Sequence, residues 1–374
     1  MPCKKDFVTR GGVPVVLDSG DYPACQAEAL ARAGWNDFPL RQAEARRAGR
    51  HLGIGLANFV EATGRGPYEQ VRVRVTGSGM LEVATGAAAM GQSTKTMLAQ
   101  IVAEQLGSAM DRITVRAGDS GHGTIGFGGF NSRQAVVAGS SAHLAAVKLR
   151  EKILLAASHL LEVDAGDLDI AGDRVVVKGA KDMSLPLEEI AKVMAGAPGF
   201  MLPANLPPGL EASENVVIDQ MTYGNGTAVA EVEVDVKTAA VKVTRLVFVH
   251  DAGRLINPMI AAGQIVGGIA HGIGNALCEW MAYNDDAQPL TTTLADYLLV
   301  TSSDMPVLDV AHRETPTPLN ALGVKGIGEA GVLPIPAAIV AAVEDALAPF
   351  AVRLSQFPIR PRDLAAMLAK AGAG

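Results

Sequence analysis

The sequence predicts an α+β protein of two lobes, each built on a duplicated strand–strand–bend–helix unit. Three observations lead there. Val71, Val73 and Val75 alternate with Arg72 and Arg74, and Thr76-Gly77-Ser78-Gly79 turns the chain back into Met80–Thr85, a hairpin by alternation and turn chemistry. The same layout returns at Val232, Val234 and Val236, alternating with Glu233 and Asp235; Lys237-Thr238 turns the chain into Val241, Val243 and 246–249. Each hairpin then runs through a small-residue bend into a helix, as expected of an internal structural repeat.

The elements follow in order. Asp21-Tyr22-Pro23 reads as a helix start, proline being suited to the first turn. That helix passes Leu30 and Ala33 and stops near Gly34-Trp35, before a charged stretch from Arg41 to Arg50. Residues 1–50 are expected to be an extended docking segment that needs the rest of the chain, or a partner, to cover it. Residues 51–195 form the expected first lobe. Its bend at 86–92 feeds a helix from about Thr94 to Leu106, with Met97, Leu98, Ile101, Val102 and Leu106 as the apolar stripe. Residues 196–220 are expected to be a linker between lobes, since Pro198, Pro203, Pro207 and Pro208 crowd its first half. Residues 221–374 form the second lobe, with a Gly/Ala-rich helix from about Ile260 to Trp280.

Composition narrows the function. At 374 residues, 49% hydrophobic and 19% charged, the chain is a folded protein with a large core. Its 39 acidic and 32 basic side chains leave a net charge of −7, which argues against nucleic-acid binding by bulk electrostatics. Cys3, Cys25 and Cys278 are too few and too scattered for a disulfide framework or a cysteine-ligated iron–sulfur cluster. No apolar segment follows Met1-Pro2-Cys3-Lys4-Lys5-Asp6, and no membrane span is expected, so the expected location is cytoplasmic.

Glycine-dense loops are the sites for chemistry. In Gly323-Val324-Lys325-Gly326-Ile327-Gly328-Glu329-Ala330-Gly331, one carboxylate and one lysine sit among glycines that let backbone approach a ligand. Met90-Gly91-Gln92-Ser93-Thr94 lies where a strand hands over to a helix; Gln92 could meet the edge of a heterocycle, or Ser93 or Thr94 could simply cap the helix. A second glycine-rich loop, 121–133, opens a long helix from about Ser132 to Leu161, in which Gly139 implies close packing. Gly263-Gln264 offers another amide beside glycines, while His271 on the same helix reads more readily as a packed or hydrogen-bonded residue than as a ligand. Two literal G-x-G-x-x-G matches, at 121–126 and 326–331, lack the strand–helix context of a dinucleotide fold. Gly118-Asp119-Ser120-Gly121 echoes a serine-protease loop without its partners.

Taken in order, these segments resemble the C-terminal half of the molybdenum subunit of the xanthine dehydrogenase/aldehyde oxidase family. The resemblance rests on Asp18-Ser19-Gly20-Asp21-Tyr22, Met90-Gly91-Gln92, 232–235, His250-Asp251-Ala252-Gly253-Arg254 with Ile256-Asn257-Pro258, Gly263-Gln264 and 325–331. It implies a molybdenum-cofactor-binding domain. Molybdopterin, in bacteria usually the cytosine dinucleotide form, would be contacted by Gly91, Gln92, Ser93, Gly129, Phe130, Asn131, Ser132, Gln264, Lys325 and Gly328, with no protein side chain ligating the metal directly. Glu329 matches the family's catalytic glutamate, a general base in hydroxylating an electron-poor carbon of an N-heterocycle or aldehyde with oxygen from water.

Three departures bear on fit: Ser93 follows Gln92 where the family usually has Gly, Asn131 stands where a small residue is usual, and His271 where many relatives carry Gln. The family's preceding lobe, with its Gly-Gly-Phe-Gly and arginine-bearing loops, does not precede Asp18. The expectation is therefore a split molybdenum subunit, similar to the arrangement in nicotinate dehydrogenase. A second polypeptide would complete the pocket, and 2Fe-2S and FAD would sit on further iron–sulfur and flavin subunits. The competing readings are a non-catalytic structural partner and a Rossmann-type nucleotide-binding oxidoreductase.

Overall fold

Val229, Val247 and Val249 point to one face of a sheet and Ala228, Ala230, Val232, Leu246 and Phe248 to the other, and both faces are buried. A sheet buried on both sides needs helices on both sides. The computed structural model describes residues 15–372 apart from 65, 123, 197–201, 203, 204 and 219. The expectations for Met1–Asp6, Cys3, Pro198 and Pro203 lie outside the described residues.

The chain forms two units that interleave in sequence. The first comprises residues up to Ala62, Tyr223–Thr315 and the chain from Ile327 onward; the second comprises Thr63–Thr222 and Pro316–Gly326. The sequence reading instead divided the chain at 50, 195 and 220. The chain passes from the second unit to the first between Thr222 and Tyr223, just beyond the 196–220 stretch expected as the linker.

In the first unit the helices α1 (Tyr22–Ala33) and α2 (Phe38–Arg47) replace the extended segment expected for residues 1–50. Asp21 Oδ1 accepts from Ala24 N at 3.1 Å and Gly34 closes α1 in the left-handed conformation (φ 62°), so the capping residues set both ends. These helices bury Cys25, Ala29, Ala33 and Phe38 against Val229, Val247 and Val249, apolar area that an extended segment could not supply. The sheet they cover is ordered β1-β9-β10-β11. Its strands are β1 (His51–Thr63), β9 (Thr222–Asp235), β10 (Ala240–Asp251) and β11 (Val307–Arg313); β9 and β10 are antiparallel, β10 and β11 parallel. The other face carries α6 (Pro258–Leu277), α7 (Ile335–Ala346) and α8 (Pro361–Lys370), through Ile265, Ile269, Ile273, Ile335, Ile339 and Leu364.

The second unit repeats the plan. Its sheet is ordered β4-β3-β2-β8, with β2 (Gln70–Val75), β3 (Leu81–Thr85), β4 (Ile113–Ala117) and β8 (Glu211–Asn215). The β2–β3 hairpin, the helix α3 (Thr94–Leu106) and the parallel strand β4 match β9–β10, α6 and β11 in order and direction. The duplicated strand–strand–helix architecture is thus present in both units. The long helix α4 (Gln134–Leu161) packs beside α3, where a Cβ on Gly139 would stand 3.3 Å from Ile101 Cδ1, the close packing its glycine implied. A three-stranded sheet, β5 (Leu168–Ala171), β6 (Arg174–Val177) and β7 (Ala180–Pro186), with α5 (Leu187–Met194), completes the unit. Among the described residues no helix is long and apolar enough to cross a membrane.

Candidate functional site

The two loops singled out in the second unit are pinned by buried polar side chains that the sequence reading missed. Glu69 and Arg133, both fully buried, form an ion pair. Glu69 Oε1 also accepts from Phe127 N and Gly128 N, each at 2.8 Å, and Arg133 donates to Gly128 O at 2.9 Å and Tyr68 O at 3.1 Å. The loop 126–133 is thus wrapped around one charge pair, with the Arg133 guanidinium 5.0 Å over the Phe130 ring. Parity gives the signal for Glu69: it shares the inward register of Val71, Val73 and Val75, so it needed a buried cation.

Gln134, at the start of α4, joins the second loop to the first. Its Oε1 accepts from the Thr94 hydroxyl and its Nε2 donates to Ala88 O at 3.0 Å, while Gln92 Oε1 accepts from Met90 N at 2.6 Å. Ser93 does not cap α3; it sits in the left-handed region (φ 64°) with no side-chain hydrogen bond to the helix start, so the capping alternative for Ser93 fails. Asn131 (φ 52°) and Ser132 (φ 48°) adopt the same rarely used region, which costs an L-residue about 1–2 kcal/mol. Three of the strained non-glycine positions among the described residues therefore fall in these two loops. At Gly91 and Gly128 an added Cβ would meet nothing within 4 Å, so both glycines border open space.

The third loop, 323–331, is shared between the units: Lys325 and Gly326 belong to the second, Glu329 to the first. In the second unit Asn320 bridges Val324 through both its amide atoms, at 2.9 and 3.1 Å. Gly326 N donates to Thr63 Oγ1 at 2.9 Å, and that hydroxyl pairs with Thr222 Oγ1 at 2.6 Å. A Cβ on Gly326 would run into Ser132 O, so the lysine loop abuts the 126–133 loop, and Lys325 is 2% exposed. Lys325 and Ser132 are therefore brought close.

In the first unit, Asn257 Oδ1 accepts from Ile260 N at 3.0 Å and caps α6, whose third turn carries Gly268. A Cβ there would come within 2.8 Å of Gly331 Cα, so the loop bearing Glu329 lies on the helix bearing Gln264, one turn from that amide. Gln264 is partly buried, whereas Gly328 and Glu329 are exposed and His271 is exposed rather than packed. The candidate residues thus fall in two sets: Gln92, Ser93, Gly129–Ser132 and Lys325 in one unit, Gln264 and Glu329 in the other.

The profile of the molybdopterin cofactor-binding domain matches residues 28–306. The 6-hydroxypseudooxynicotine dehydrogenase complex subunit gamma of Paenarthrobacter nicotinovorans is 36% identical over 94% of this chain and 44% of its own. The carbon monoxide dehydrogenase large chain of Hydrogenophaga pseudoflava is 35% identical over 89% of this chain and 41% of its own. Among solved structures, quinoline 2-oxidoreductase from Pseudomonas putida 86 superposes with a TM-score of 0.87 at 36% identity, covering 99% of this chain and 48% of that one. The chain spans about half the length of the relatives it matches.

Proposed function

The chain belongs to the molybdopterin-binding xanthine dehydrogenase family, and from that premise we propose that it is the cofactor-binding part of a multi-subunit molybdenum hydroxylase with Glu329 as its general base. The observation that carries this is the approach of Gly331 to Gly268, which sets the loop of Glu329 on the helix of Gln264. The donor chemistry fits a pterin. Gln92 and Gln264 offer both donor and acceptor atoms, and the loops at Gly91 and Gly128 border space that a ligand could fill. Gly91, Gln92, Ser93, Gly129, Phe130, Asn131, Ser132, Gln264, Lys325 and Gly328 are the residues proposed to hold the cofactor. The cytosine dinucleotide form is proposed for it.

When bound, the molybdenum cofactor supplies the two-electron oxidation and the site at which oxygen from water is delivered. The chain's own part is positional and basic. Gln92 and Gln264 orient the pterin edge; Glu329 takes and later releases one proton at a carboxylate oxygen, help typically worth ~10²–10⁴ in rate. Glu329 is exposed in this chain, and we assign its enclosure to a complementary lobe corresponding to the half of the relatives that this chain does not match. Iron–sulfur and flavin centres on further subunits are part of the proposal; the three scattered cysteines of this chain offer no cluster site. An electron-poor N-heterocycle or an aldehyde is the proposed substrate.

Purifying the native complex and measuring its metal, nucleotide and subunit content tests this reading. Molybdenum with cytidine nucleotide, and a co-purifying iron–sulfur protein, are expected. A complex without molybdenum would overturn it.

A further inference from the structure

In the second unit, two side-chain amides lie in series between two backbone groups of fixed polarity. At one end is the Ala88 carbonyl, which can only accept; at the other is the Met90 N–H, which can only donate. Gln134 Nε2 donates to Ala88 O at 3.0 Å, so its Oε1 faces the other way, where it accepts from the Thr94 hydroxyl and from Gln92 Nε2, the latter at 3.4 Å. Gln92 Oε1 in turn accepts from Met90 N at 2.6 Å. Flipping either amide sets acceptor against acceptor at one of its ends and donor against donor at the other. Gln134 is 7% exposed, so a flipped amide would find little water to replace those bonds. The second loop closes over it: a Cβ on Gly129 would stand 2.7 Å from Gln134 Nε2 and 3.0 Å from Met90 Cε. Gln92 is only half-buried, and its second amide hydrogen and the remaining lone pair of its Oε1 have no partner among the described residues. Next to the points where the two loops meet, Gly91 and Gly128 border open space.

We propose that Gln134 is a positioning residue, which holds the Gln92 carboxamide in the one orientation that turns a chosen N–H and a chosen lone pair toward the pterin. The inference rests on the reading of Gln92 as a cofactor contact. An amide at 134 does this because it donates at one end and accepts at the other. An apolar side chain of the same volume would still fill the start of α4, yet it would leave Gln92 to turn about its last bond. The edge of a pterin carries donors and acceptors side by side, so it matches one orientation of a carboxamide and clashes with the flipped one.

The test uses the native molybdenum-loaded complex and reads the rate of molybdenum release rather than turnover. Gln134→Met is expected to speed release about tenfold, as for the loss of one hydrogen bond. In a Gln92→Ala background the same change adds nothing, because the group it positions is gone, whereas a merely structural role would act equally in both. In Gln134→Glu the buried carboxyl keeps its proton toward Ala88 O and accepts from Gln92 as the amide does, so release returns to within about threefold of the wild type. That variant also carries the test if Gln134→Met does not assemble. Equal acceleration by Gln134→Met with and without Gln92, no acceleration with Gln92 present, or release from Gln134→Glu as fast as from Gln92→Ala would overturn the inference. Unchanged release in Gln92→Ala alone would instead mark failure of the reading on which it rests.

Discussion

Gly331 occupies the space a side chain on Gly268 would need: a Cβ added to Gly268 falls 2.8 Å from Gly331 Cα and 3.0 Å from its carbonyl carbon, and a Cβ on Gly331 falls 2.9 Å from Gly268 Cα. Both neighbours are backbone, so neither can step aside by changing rotamer. The contact fixes how closely the loop of Glu329 lies on the helix of Gln264.

Gly268→Ala is therefore expected to push helix and loop apart, at a cost of about 1–3 kcal/mol in stability. Gly263→Ala on the same helix, where a Cβ meets nothing within 4 Å, should leave stability unchanged or raise it by up to about 1 kcal/mol. Urea denaturation of the two variants checks the contrast.

The Glu69–Arg133 pair is buried on both sides. Glu69→Gln leaves the guanidinium charged and without its counter-ion, a loss of about 3–5 kcal/mol. The loop 126–133 should then become the first site cut in limited proteolysis. Cleavage elsewhere at the wild-type rate would contradict the anchoring role.

Thr63→Val removes the acceptor of Gly326 N and the partner of the Thr222 hydroxyl. The buried Gly326 N then loses its bond, for about 1–3 kcal/mol, while the Thr222 hydroxyl keeps the Thr63 carbonyl as an acceptor at 3.3 Å. Thermal denaturation of the single variant, with Thr222→Val as companion, measures how far the two effects overlap.

His250 is buried against Phe248 and His312, ring centroids 5.4 and 4.8 Å away. Burial, and secondarily the His312 charge, push it down from 6.5 to about 3. The folded state thus keeps it neutral while the unfolded chain takes up a proton below about 6.5. Its stabilising contribution is whole above that pH and declines as pH falls from about 6.5 toward 3, by up to ~1.4 kcal/mol per pH unit. Unfolding free energies at pH 7 and 5.5 should differ less in His250→Phe than in the wild type.

Local chemistry made much of the fold readable. Asp21 and Gly34 mark both ends of α1, and α3 spans Thr94–Leu106 as its apolar stripe requires. The interleaving of the units was not readable, because β2 pairs with β8 and β9 neighbours β1 across more than a hundred residues, and such pairings leave no local signature. Helical packing of α1 and α2 on β9 and β10 was hidden for the same reason. In the candidate site the glycine-dense loops were legible, yet Arg133 and Gln134, which hold two of them, read only as the start of a helix. The exposure of Glu329 could not be foreseen from a motif that says nothing about what covers it.

Glu329→Gln in the purified native complex tests the central claim most directly, with turnover and molybdenum content measured on the same preparation. The account predicts turnover reduced by at least ~10²-fold with molybdenum retained in full. Turnover within a few-fold of the wild type at full molybdenum content would contradict it.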